Sequence, residues 1–168
     1  MAMVYLIVIL LLAVADQALK FVIHLNIAPE QYVTVINNFF YIVNHRNTGA
    51  AWSFLANVNW GIYLLSAVSF VAVVAMAIII LRVKNHWLQT SLAIIAGGSL
   101  GNLIDRVRLG AVTDYLNFQF GSYIFPTFNL ADMLVVGGTI MLVIVILAQP
   151  ELLDGPDVKK SKSVDGAQ

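Results

Sequence analysis

The chain has 168 residues, 60% of them hydrophobic and 11% charged, and its mean hydropathy of +0.87 lies far above what a water-solvated domain's mixture of core and surface gives. Formal net charge is zero, and the basic residues form no stripe able to neutralise a run of phosphates, which excludes nucleic acid as a partner. Cysteine is absent, so disulfides, thiolate metal sites and a cysteine nucleophile are excluded as well.

A bilayer core of about 30 Å requires roughly 20 apolar residues per helix. In chain order, runs of that kind predict membrane spans over 1–22, 60–81, 87–104 and 128–147. The first contains Ala13-Val14-Ala15, which looks like the site where a signal peptide is cut, but no Lys or Arg precedes the apolar stretch and the segment is expected to be retained as a helix. Next, Tyr32–Ile36 and Phe39–Val43 are β-branched and aromatic runs around Asn37-Asn38, two residues that tolerate positive φ; this predicts a β-hairpin within about 26–46. Its aromatic rings suit the membrane interface. A short loop, Arg82 to His86, joins the second and third spans, and Arg106 to Pro126 joins the third and fourth. The expected fold is therefore an all-α integral membrane protein of four transmembrane helices with a small extracytoplasmic β-hairpin. Residues 1–148 form a single membrane-embedded domain and 149–168 a flexible, solvated tail.

Arg82, Lys84 and the tail lysines set the orientation by the positive-inside rule, placing both termini in the cytoplasm; Lys20, Arg46, Arg106 and Arg108 fall on the other side and adjoin acidic or polar residues. Ionised side chains in hydrocarbon are costly and so mark functional candidates. Asp16 and Lys20 lie late in the first span, Asn102, Asp105 and Arg106 late in the third, and Asn129 and Asp132 early in the fourth. Alternating span direction brings all three groups to the extracytoplasmic face, together with Asp114.

Asp16 and Lys20 are four residues apart, as are Asn102 and Arg106, while Asn102 with Asp105 and Asn129 with Asp132 are three apart, so each pair shares a helix face. Asp16, Lys20, Asp105 and Arg106 read as scaffolding, cations with counter-ions one turn away. Asp114 and Asp132 have no Lys or Arg within a turn. Two such carboxyls can share a proton, the ionised member taking a proton from water and the protonated member donating to a scissile carbonyl. Spacing alone leaves this open against ion or proton translocation and a purely structural role. A relay through Asp105, Asp114 and Asp132, however, predicts polar residues across the membrane thickness, and the cytoplasmic halves of the spans carry almost none.

Ala93, Gly97 and Gly101 recur every four residues on the third span, a stripe that admits a neighbouring backbone and is continued by Asp105; Gly137 and Gly138 offer the same on the fourth. His24, His45 and His86 sit on separate segments without ligand spacing, so neither a metal nor any other cofactor is expected.

Five blocks in order, Asp16-Gln17-Ala18-Leu19-Lys20, Asn47-Thr48-Gly49-Ala50-Ala51, Gly101-Asn102-Leu103-Ile104-Asp105-Arg106, Val112-Thr113-Asp114 and Phe128-Asn129-Leu130-Ala131-Asp132, resemble the motifs of bacterial lipoprotein signal peptidases over about residues 4–148. The resemblance implies an aspartic endopeptidase of the bacterial inner membrane that cuts diacylglyceryl-modified prolipoproteins just before the lipidated cysteine. It implies Asp114 and Asp132 as the catalytic pair, with Asp16, Lys20, Asn47, Gly49, Asn102, Asp105, Arg106 and Asn129 supporting the site or holding substrate. It further implies the hairpin as an extracytoplasmic cradle, the loop around Gly121 as a mobile lid, and the cyclic peptide antibiotic globomycin as an inhibitor. Trp52 departs from the pattern, which more often has Phe after Ala-Ala.

Overall fold

The computed structural model describes residues 2–49 and 60–152. Trp52 and the tail from 153 onward lie outside them.

Among the described residues, four α-helices frame the fold: α1 (Ala2–Asn26), α2 (Gly61–Arg82), α3 (His86–Leu109) and α4 (Leu130–Ala148). Among the described residues, three of them, α1, α2 and α4, are long and apolar enough to cross a membrane. Four spans were expected, with polar residues near one end of three of them, and α3 carries enough polar residues to fall short of the other three in apolar character for a physical reason. It is the central helix, packed against α1, α2 and α4, so it buries Gln89, Ser91, Asn102 and Asp105 against protein, where polar groups find partners that lipid cannot give.

Close helix approach explains the small residues. A Cβ at Gly97 would lie 2.8 Å from Leu12 Cβ of α1, and one at Gly101 would lie 2.5 Å from the Asp16 carboxylate; Gly98 faces the Ala131 carbonyl of α4, and Gly138 packs on Ile95. Gly137, by contrast, has open space where its side chain would be. At the opposite end from the acids, Asn85 caps α3 by accepting from the Leu88 N–H, and the Gln89 amide donates to the Ile80 and Val83 carbonyls, 2.9 Å each, closing the C-terminus of α2.

The hairpin forms where expected, with β1 (Tyr32–Ile36) antiparallel to β2 (Phe40–Asn47). Asn38 takes φ 58° at its turn. The β structure extends further than a hairpin. Part of the presumed connection between the third and fourth helices is β3 (Val112–Phe120), which pairs with β2, followed by β4 (Tyr123–Ile124), giving a four-stranded sheet in the order β1-β2-β3-β4. The supposed lid residue Gly121 is the tip of the β3–β4 hairpin, at φ 63°, a conformation glycine adopts at little cost. The expected tail begins with a 3-10 turn at Pro150–Leu152.

One junction positions the site. Phe128, the residue before the α4 cap, bridges Leu116 of β3: the Leu116 N–H donates to the Phe128 carbonyl at 2.8 Å and the Phe128 N–H returns to Leu116 at 3.1 Å. Stacked rings of Phe40, Phe118 and Phe128 reinforce it, with centroids 4.7 and 5.8 Å apart. The start of α4 is thereby fixed beside the middle of β3, two residues beyond Asp114.

Candidate active site

Asp114 is the third residue of β3 and is buried. Its register partner on β2 is His45. Side chains alternate along a strand, so Asn47, two residues beyond His45, shares its face. The Asn47 amide donates to Asp114 Oδ2 at 3.0 Å, and the Gly49 N–H holds the Asn47 carbonyl oxygen at 2.9 Å.

Asn129 and Asp132 do not share a helix face, as their spacing suggested. Asn129 is the N-cap of α4 and the two form a capping box: the Asp132 N–H donates to Asn129 Oδ1 at 2.9 Å and the Asn129 N–H to Asp132 Oδ2 at 3.1 Å. The other free N–H groups of the first turn are met by site residues, Leu130 by the Tyr115 hydroxyl at 3.1 Å and Ala131 by Asp16 Oδ1 at 3.0 Å. A carboxylate there also complements the helix dipole.

Two side-chain amides connect the acids. Asn129 Nδ2 donates to Asp114 Oδ1 at 2.7 Å and approaches Asn102 Oδ1 at 3.1 Å, while Asn102 Nδ2 donates to Asp132 Oδ1 at 2.8 Å. Asn102 Oδ1 in turn accepts from Lys20 Nζ at 2.8 Å. Every carboxylate oxygen of Asp114 and Asp132 therefore receives an N–H, and among the described residues no ion pair reaches either. Burial first, and then the neighbouring charge of Asp132, push the Asp114 carboxyl up to about 7, against the opposing hydrogen bonds from Asn47 and Asn129.

Lys20 is fully enclosed and held by two carboxylates, Asp16 at 2.8 Å and Asp105 at 3.1 Å. Sequence spacing gave only the first. Asp105 also accepts from the Gln17 amide at 2.8 Å and from the Thr113 N–H at 2.9 Å, so the ion cluster fixes the backbone immediately before Asp114. Among these, Gln17 and Thr113 stand in motif blocks without a role of their own in the sequence reading, whereas nothing in the pattern marks Tyr115. The expected Asn102–Arg106 pairing is replaced by a contact of Arg106 Nη1 with Ser69 Oγ at 3.4 Å.

Asn47, Gly49, Asn102, Arg106, Asp114 and Asp132 line one open cavity of about 1060 Å³ that continues between α2, α3 and α4 past Ser69, Ser99 and Val136. Asp16, Lys20 and Asp105 stand behind it. The histidines go elsewhere or to its rim: His24 lies 3.0 Å from the Thr113 hydroxyl, His86 3.0 Å from the Tyr5 hydroxyl, and His45 3.2 Å from Glu30.

A pair of carboxyls, Asp114 buried and Asp132 half-buried, held by amides in a cavity at the end of an apolar helix bundle suits proton transfer to and from a substrate that comes from the membrane. Residues 8–148 match the family model described as signal peptidase (SPase) II. The chain belongs to the signal peptidase II family. Its relatives include the lipoprotein signal peptidases of Bacillus pumilus, 38% identical over 95% of this chain and 99% of that one, and of Oleidesulfovibrio alaskensis, 44% identical over 77% and 85%. Two solved structures described as bacterial membrane enzymes superpose with TM-scores of 0.77 and 0.74 at 26% and 27% identity, covering 90% and 86% of this chain and 92% of each of theirs. A signal peptidase II with three strongly apolar helices around a polar central one is a multi-pass bacterial membrane protein, and the sequence motifs and the cavity-lining side chains belong to the same region of it.

Proposed function

We propose that the chain removes signal peptides from diacylglyceryl-modified prolipoproteins by aspartic catalysis, cutting before the lipidated cysteine, with Asp114 and Asp132 as the catalytic pair. The observation that carries this reading is the amide link Asp114–Asn129–Asn102–Asp132, which holds two carboxyls in one cavity without a neutralising ion pair. Such a pair keeps one proton between its members: the ionised carboxylate takes a proton from the attacking water while the carboxylic acid donates to the carbonyl oxygen as it becomes tetrahedral. The Asp114 carboxyl, pushed up to about 7 by burial and by the charge of Asp132, is suited to carry the shared proton. Asn47, Gly49, Asn102, Asn129 and Arg106 would hold the pair and the substrate backbone, and Asp16, Lys20 and Asp105 would keep β3 and α4 in register.

On this reading α3 spans the membrane with α1, α2 and α4, residues 1–148 act as one domain, and both termini are cytoplasmic. The cavity then opens at the extracytoplasmic face of the inner membrane, where an acyl chain arrives laterally and positions the scissile bond by binding energy remote from the chemistry. The same cavity would take globomycin. No cofactor is assigned a role.

The test is cleavage by purified protein in liposomes. A diacylated precursor should be cut before its lipidated cysteine, and the same peptide without lipid at a much lower rate. Equal rates on both would refute the lipid requirement, and ion flux without cleavage would replace the reading with translocation.

A further inference from the structure

Gly137 borders two cavities at once. Above it lies the one that holds Asp114 and Asp132; below it a second, of about 450 Å³, runs along α4 past Ile140, Met141, Ile144 and Ala148 and ends at Trp87 and Gln149. The spacing of these α4 residues places them on a single helix face. At the lower end the groove is closed by a polar contact, the Asn85 amide donating to Gln149 Oε1 at 2.6 Å. The two cavities meet at Gly137 and together follow almost the whole of α4, a trough that starts at the carboxyl pair. Its walls are apolar and exposed, Ile140 at 56% and Ile144 at 59%. At its middle Gly137 leaves a notch, since a Cβ there meets no heavy atom within 4 Å, whereas the neighbouring Gly138 is filled by Ile95.

We infer that this trough is the seat of the substrate's own apolar helix, with one of its side chains in the Gly137 notch, so that α4 carries both a catalytic carboxyl and the surface that recognises the part to be removed. The inference rests on the proposed peptidase reaction. Length fits this occupant: from Asp132 to Gln149 a helix rises about 25 Å, and the apolar core of a signal peptide, roughly 7–15 residues, covers about 10–22 Å as a helix. A helix whose end is presented at the carboxyl pair fits the trough from its upper opening to the Trp87 level. The continuity of the groove with the carboxyl-bearing cavity gives that helix a fixed register relative to the bond to be cut. Because glycine at 137 is what opens the notch, this residue would set which side chains a precursor can carry at that height.

Two variants test it. Gly137→Leu fills the notch, and with a full-length lipidated precursor it should raise KM about tenfold while kcat changes little, as expected when binding common to ground state and transition state is lost. Cleavage of a lipopeptide truncated shortly before the scissile bond should suffer far less from the variant than cleavage of the full-length precursor. An equal loss on both substrates, or no change on either, overturns the inference. Ile144→Cys uses the absence of native cysteine: oxidised in liposomes with a precursor carrying one cysteine in its apolar core and its own cysteine blocked by lipid, it should form a heterodisulfide. Homodimers only, or no adduct because lipid alone fills the groove, also overturn it. If wild-type protein cuts no precursor the peptidase reading fails, and the crosslink still reports whether the trough holds the helix.

Discussion

Asn129 gives an amide hydrogen to Asp114 at 2.7 Å with the same side chain whose carbonyl oxygen caps α4 by accepting the Asp132 N–H at 2.9 Å. One residue therefore fixes both the direction of the helix that bears Asp132 and the orientation of Asp114. Asn129→Ala should cost about 1–2 kcal/mol of stability through the lost cap and reduce cleavage far more than that loss of folded protein explains. Asn129→Ser retains a capping oxygen without the amide donor, so it should recover the stability and not the rate. Thermal unfolding in detergent beside precursor cleavage separates the two effects.

Lys20 lies between Asp16 at 2.8 Å and Asp105 at 3.1 Å, so the cluster contains two carboxylates and one cation. Removing a member of a buried ion cluster leaves charge uncompensated, at about 3–5 kcal/mol. Lys20→Met strands two carboxylates behind the active site, whereas Asp16→Asn leaves Lys20 a partner in Asp105. The lysine variant should be the less stable of the two. Equal unfolding temperatures in detergent would contradict the shared-cation arrangement.

Much of this was legible from order and spacing. The Asp16–Lys20 pair is a one-turn relation on one helix, and runs of apolar residues mark lipid-facing helices directly. The β2–β3 pairing was harder to see because it joins residues far apart in sequence, His45 with Asp114 and Asn47 with Val112. The signal for β3 lay in Val112, Thr113, Tyr115, Phe118 and Phe120 between Gly110 and Gly121, a run of strand-forming residues bounded by turn formers. The capping role of Asn129 was misread as a shared helix face because a spacing of three fits both arrangements. The exchange of Lys20 between Asp16, Asp105 and Asn102 depends on how α1 and α3 meet, which the spacing along either helix does not determine.

On the proposed mechanism, the proton on Asp114 should make stability and activity depend on pH in the same direction. Burial and the charge of Asp132 raise this carboxyl from its ordinary 3.8 to about 7, so between those values the folded protein holds a proton that the unfolded chain releases. The resulting contribution to stability is complete below about 3.8 and disappears as pH rises through about 7. Thermal stability in detergent should therefore decline across that window, and the decline should flatten in Asp114→Asn. Cleavage should also fall as pH passes about 7, because the acid that serves the carbonyl oxygen is lost. A rate that climbs steadily through neutral to alkaline pH would assign the acid's role elsewhere.

The division of labour between Asp114 and Asp132 gives the most direct test of the proposed chemistry. Asparagine has nearly the shape of aspartate but neither takes up a proton as a base nor releases one as a carboxylic acid. Asp114→Asn and Asp132→Asn should each leave the fold in place and lipid-substrate binding largely intact, although an amide has one accepting oxygen where the carboxylate had two, so that one N–H donor at each position, from Asn47 or Asn129 at 114 and from Asn102 or the Asn129 backbone at 132, loses its acceptor. Turnover should fall to background in both. If the carboxyls share one proton, the double substitution should be scarcely worse than either single, because removing one member already abolishes the function of the pair. Replacing Asp114 should also improve folding at neutral pH, where burying its charge beside Asp132 is unfavourable. Precursor cleavage, thermal stability and binding of a globomycin-like inhibitor across the three variants distinguish the outcomes. Substantial cleavage by either single variant, in protein that unfolds cooperatively and binds the inhibitor, would remove that aspartate from the reaction and restore a proton-relay reading of the acids.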